Sequence, residues 1–144
     1  MRPVARAFGL GSLLPVLAAL LVMEGCARPV FSIGERKVCK AVDAAGKPVG
    51  ESSTFAPSAG RVFVWFRYSN AAGGQTVKVK FTCVDPLGTK STTEVQKELE
   101  PGTHTASAEL TGLDGGPLAP GQYTAEITSL ADVAFGPPLA FAVK

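Results

Sequence analysis

The sequence predicts an all-β protein, an antiparallel β-sandwich, and three observations carry that reading. In Gln75 to Val84, Val77, Val79, Phe81 and Cys83 alternate with Thr76, Lys78, Lys80 and Thr82. A period of two puts the first set on a core face and the second toward water. Similar short runs, rich in β-branched and aromatic residues, recur between Gly/Pro breaks, giving about seven to nine strands. Finally, 144 residues with 46% apolar and 18% charged side chains suffice for one core and exclude a wholly disordered chain.

Taken in order, Glu35 to Val42 is a short strand, followed by the turn Ala44-Ala45-Gly46 and a second run through Val49. Arg61 to Ser69 is a strand, and Asn70-Ala71-Ala72-Gly73-Gly74 makes the hairpin loop into Gln75 to Val84. Asp85-Pro86-Leu87-Gly88 is a turn. Thr89 to Leu99 then reads as a polar edge strand, with a helix over Thr93 to Glu100 as the alternative. Pro101-Gly102 breaks the chain, His104 to Leu110 alternates, and Gly112 to Gly121 is a loop. Gln122 to Leu130 and the closing Leu139, Phe141 and Val143 complete the set.

Ahead of this domain, Arg2 and Arg6 precede an uncharged run of 17 residues, Ala7 to Met23, interrupted by Gly9, Gly11 and Pro15. A positive start followed by a short apolar stretch is the order of a secretory signal peptide, expected here as a helix over 1–25. A permanent span needs about 20 apolar residues, so export with cleavage fits better. The run ends Met23-Glu24-Gly25-Cys26, which resembles the bacterial lipoprotein signal. The resemblance implies cleavage before Cys26, diacylglycerol on its sulfur and an acylated new amino group. It therefore implies a lipidated tether over 26–34, a sandwich over 35–144, and a place in the bacterial envelope facing the periplasm or exterior. The competing cleavage follows Ala27, with Gly25 and Ala27 as the small pair.

With Cys26 carrying lipid, Cys39 and Cys83 remain as an even pair in an oxidising compartment, so a disulfide between them is expected. Their spacing of 44 residues would contribute about 4 kcal/mol on the chain-entropy model. Two buried free thiols are the alternative.

Pro120-Gly121-Gln122-Tyr123, an alternating strand and the closing Phe141-Ala142-Val143 are similar to the end of many bacterial immunoglobulin-like domains. There the tyrosine packs at the corner of the penultimate strand. Cys39, Trp65 and Cys83 follow the Cys-Trp-Cys order of true immunoglobulin domains at other spacings. The architecture is taken from this likeness, and family membership is left open.

Catalytic chemistry is sparse. His104 is the only histidine, no Gly-x-Ser-x-Gly turn presents a serine, and no phosphate-cradling glycine loop occurs. One His and three Cys fall short of a usual zinc set, so neither metal nor cofactor is expected. A net charge of +2 without a clustered basic face excludes nucleic acid as the expected partner. Recognition potential concentrates in Arg61 to Tyr68. Val62, Val64, Phe66 and Tyr68 make one face; Phe63 and Trp65 make the other, flanked by Arg61 and Arg67. A strand buried on both sides under a covering loop explains this. The functional reading is an open face whose aromatic rings stack on a sugar or a protein partner. The sequence therefore describes a non-catalytic binding or assembly module, held to a membrane by its N-terminal lipid, with an envelope protein or glycan as partner. The alternative is a small secreted enzyme or inhibitor acting through loops around His104 or Gly112 to Gly121.

Overall fold

The computed structural model describes residues 29–144. The expected signal peptide over 1–25 and the expected lipidation site Cys26 lie outside the described residues.

One apolar face of each long strand turns inward, and two sheets close over these faces. The strands are β1 (Ser32–Cys39), β2 (Ala41–Val42), β3 (Pro48–Val49), β4 (Thr54–Phe55), β5 (Arg61–Ala71) and β6 (Thr76–Val84). They continue with β7 (Lys90–Glu98), β8 (Gly102–Thr111), β9 (Gly121–Ser129) and β10 (Leu139–Val143). One sheet has three strands in the order β1-β5-β8, and the other has five in the order β4-β10-β9-β6-β7. All pairings in these two sheets are antiparallel except the short parallel contact of β4 with β10. β2 and β3 form a separate hairpin.

Val38, Val62, Val64, Phe66 and Tyr68 from the smaller sheet meet Val77, Val79, Phe81, Ala125, Ile127 and Phe141 from the larger one. Phe55 crosses Phe141 edge to face at 5.9 Å, and Tyr123 stacks on Phe141 at 5.0 Å. Burying such side chains stabilises by roughly 1.5–3 kcal/mol each, which offsets the entropy of ordering the strands.

The helix alternative over Thr93 to Glu100 gives way to strand, because Lys90–Glu98 pairs with β6 along its whole length. The structure also begins the domain earlier than Glu35. Ser32–Gly34, expected as tether, are strand, since Ile33 pairs opposite Tyr68 and packs on the core. β4 was not foreseen, being two residues long with only Phe55 turned into the core.

The expected Cys39–Cys83 disulfide is absent; both are buried free thiols. Their side chains face different compartments. Cys39 pairs with Phe63 across β1 and β5, on the side of the smaller sheet that faces away from its partner sheet. Cys83 lies in the interior between the sheets, with Phe81 and Tyr123. Side chains change face at each residue of a strand, so an intervening sheet separates the two sulfurs.

Candidate functional site

The outer face of the smaller sheet carries Arg61, Phe63, Trp65 and Arg67, as alternation requires. It is not open. β1 leaves the sheet after Cys39, and the β2–β3 hairpin folds back across β5. Its tip is a tight turn in which the Asp43 carboxylate accepts from the N–H groups of Ala45 (2.9 Å) and Lys47 (2.8 Å). Gly46 sits at φ +77°, a conformation that suits a residue without Cβ. The Gly46 carbonyl accepts the Trp65 indole N–H at 2.8 Å and the Thr105 hydroxyl at 3.4 Å. Trp65 is left 3% exposed. It is pinned beneath the hairpin, so its ring is not free to stack on a sugar.

The charged neighbours form a network over this face. Arg67 lies 5.7 Å from the Trp65 ring centre and 3.7 Å from Glu35, and Arg61 reaches Glu109 at 3.6 Å. Lys37 contacts Glu35 and Glu51 at 3.2 Å each, which holds its ammonium above the usual range. Phe63 is half-buried opposite Glu109. Arg61, Phe63 and Arg67 thus rim a partly covered surface, and Trp65 is its floor.

Beside this floor a cleft of about 450 Å³ runs along the outer edge of β8. Val42 and Gly46 of the hairpin bound one side, Lys97 to Glu100 the other, with Trp65, Tyr68, Thr105, Ala106 and Ser107 between. Sequence reasoning missed β8 as a wall. The available signal was its composition: Gly102–Thr111 has a single carboxylate, Glu109, and no Lys, Arg or Pro.

His104 also lines this cleft. Its Nε2 lies 3.0 Å from the Pro101 carbonyl oxygen, and its ring meets Tyr68 edge-on at 6.2 Å. His104 pairs opposite Tyr68, whereas Ser107 pairs opposite Trp65. The two therefore lie on opposite faces of β8, and no serine–histidine hydrogen bond joins them. The other loop expected as functional, Gly112 to Gly121, lies at the far end of the sandwich. There the Gly112 N–H donates to the Gly60 carbonyl at 3.0 Å, and Leu113 stands exposed.

At the end of that loop, the Tyr123 hydroxyl donates to the Ala119 carbonyl at 2.6 Å, four residues upstream. Burial, and then the adjacent Cys83, push the Tyr123 phenol upward. A tyrosine at the start of a late strand, bonded back to the preceding corner, is a recurring device of immunoglobulin-type sandwiches. The fold is immunoglobulin-like. A solved immunoglobulin-like protein of Pseudomonas aeruginosa matches with a TM-score of 0.57 at 16% identity, covering 82% of this chain and 99% of its own. A Niemann-Pick type C2 protein from the Japanese carpenter ant aligns with a TM-score of 0.45 at 9% identity, over 83% of this chain and 96% of its own. No family model and no curated protein matches the chain.

Proposed function

We propose that the chain is a non-catalytic lipoprotein of the bacterial envelope that takes an extended segment of a partner protein onto the edge of β8. The carrying observation is the contrast between β8 and the other sheet edges among the described residues. β1 is interrupted by a register shift between Ile33 and Arg36. Arg36 also crosses to the carbonyls of Phe135 (3.2 Å) and Pro137 (2.7 Å). β4 is two residues long, and β7 carries Lys90, Glu94, Lys97 and Glu98. Bulges, shortness and charge are the usual guards against a strand adding to an edge. From His104 to Thr111, β8 pairs with β5 in unbroken register and carries only Glu109 as a carboxylate. A strand added here gains main-chain hydrogen bonds, and the cleft beside β8 accepts its side chains.

The anchoring implied by Met23-Glu24-Gly25-Cys26 belongs to the same proposal, since tethering raises local concentration and lets a weak edge contact suffice. The opposed faces of His104 and Ser107 favour binding over the enzyme alternative. The test places a photo-crosslinking residue at Thr105 in cells. A crosslinked adduct is expected, lost with Ser107→Lys and kept with Thr92→Lys on the β7 edge, both variants retaining their melting temperature. An adduct indifferent to Ser107→Lys, or no adduct, overturns the proposal.

A further inference from the structure

Every segment at one end of the sandwich can be assigned from the strand register. β1 begins there with Ser32 opposite Ser69, the β5–β6 turn closes there, and Ser129 at the end of β9 lies opposite Val77. The chain's N-terminal lead is fixed to the same end. The Val30 carbonyl accepts from the Asn70 side-chain amide at 3.3 Å. Phe31 packs edge-on against Phe135 at 5.3 Å.

Three large apolar side chains stand exposed on the N-terminal-lead side of this end. Val30 is 80% exposed, Leu130 54% and Val133 62%, and the glycine pair Gly73-Gly74 lies exposed in the β5–β6 turn. The one carboxylate in this loop, Asp132, is occupied by the Lys78 ammonium. Isolated exposed apolar residues are ordinary on protein surfaces. Here they coincide with the end from which the chain leads back to Cys26, and the sequence between Cys26 and Val30 extends at most about 14 Å. That stretch contains Arg28 and no acidic residue.

We propose that this end is a second membrane contact: the Leu130–Val133 loop and Val30 rest in the interfacial layer of the bilayer that holds the lipid. The inference rests on the anchored reading of Cys26. A short tether brings this end to the headgroups, and apolar side chains beside an ion-paired carboxylate enter that layer at little cost. Glu98 and Glu100 lie at the β7–β8 corner of the same end, so the domain leans toward the Leu130–Val133 side. That tilt leaves the β8 edge clear of the bilayer.

The test uses the full chain processed in bacterial membranes, then reconstituted into phosphatidylethanolamine/phosphatidylglycerol vesicles. A polarity-sensitive fluorophore is placed by Ala131→Cys or, at the far end, by Leu87→Cys. Flotation with the vesicles and palmitate on Cys26 report the anchor; quenching by acyl-brominated lipids reports the contact. The expected result is flotation of both, with quenching at position 131 only. Adding Leu130→Glu and Val133→Glu removes that quenching without releasing the protein. Flotation with equal quenching at 131 and 87 overturns the contact alone. Protein that does not float overturns the anchor and the contact together.

Discussion

Trp65 holds the β2–β3 hairpin to the smaller sheet through one hydrogen bond and the burial of an indole. Trp65→Phe keeps most of the apolar area and loses the bond to the Gly46 carbonyl, which costs about 1 kcal/mol. Trp65→Ala also empties the space beneath the hairpin and costs about 3–5 kcal/mol. Urea unfolding of the two variants is expected to show that order. Asp132 and Lys78 give a residue-scale pH dependence. The Lys78 ammonium holds the Asp132 carboxyl below its ordinary value, and Asp132 holds the Lys78 ammonium above its own. The carboxylate's contribution is present above the ordinary aspartate range and is lost as pH falls through its lowered folded value. The lysine's contribution is present below the ordinary lysine range and is lost as pH rises through its raised one. Asp132→Asn tolerates the same positive φ of 64°. The stability gap between wild type and Asp132→Asn is therefore expected to be flat near neutrality. It closes in acid below about pH 4 and again in alkali above about pH 10, read by urea unfolding across pH.

At the scale of elements, the two cysteines follow from which face each strand presents. Cys39 lies on the covered outer face, where burial pushes its thiol upward, and Cys83 lies in the interior. Neither is accessible enough to react readily as a thiolate in the folded protein. Denatured without reductant, the chain is expected to take an alkyl group on both Cys39 and Cys83, and the native chain on neither; mass spectrometry distinguishes these results. A Cys39–Cys83 pair that resists alkylation until it is reduced would contradict the register of β1 on β5. The same register explains why the Arg61–Tyr68 run is apolar on both sides. One side fills the space between the sheets, and the other lies under the hairpin. β8, by contrast, is the element on which the proposed strand addition depends, through its side-chain economy. With Glu109 as its one carboxylate and no Lys, Arg or Pro, its edge backbone is left approachable, and the Ser107→Lys comparison addresses that feature directly.

Across the whole molecule, the N-terminal lead and the Leu130–Val133 loop share one end, Leu113 and Leu87 lie toward the other, and the β8 cleft occupies the side. The proposed anchor and partner would then use separate surfaces, the membrane at the base and an extended segment along the flank. Strand identity was legible from local pattern: Val77, Val79, Phe81 and Cys83 announce β6, and Pro120-Gly121-Gln122-Tyr123 announces the corner closed by the Tyr123–Ala119 bond. The cover over Trp65 was legible only as a kind of element, because alternation assigns a side chain to a face without saying what lies over it. By itself, the sequence determined the all-β class, the inward set of each long strand and the turns, since these depend on period two and on local glycine and proline chemistry. Tertiary structure alone decided that Cys39 and Cys83 are separated by a sheet, that the hairpin closes over Trp65 and that β8 is the unguarded edge. Those outcomes depend on which strands become neighbours, and that is settled by long-range packing of faces rather than by any neighbouring residue in the chain.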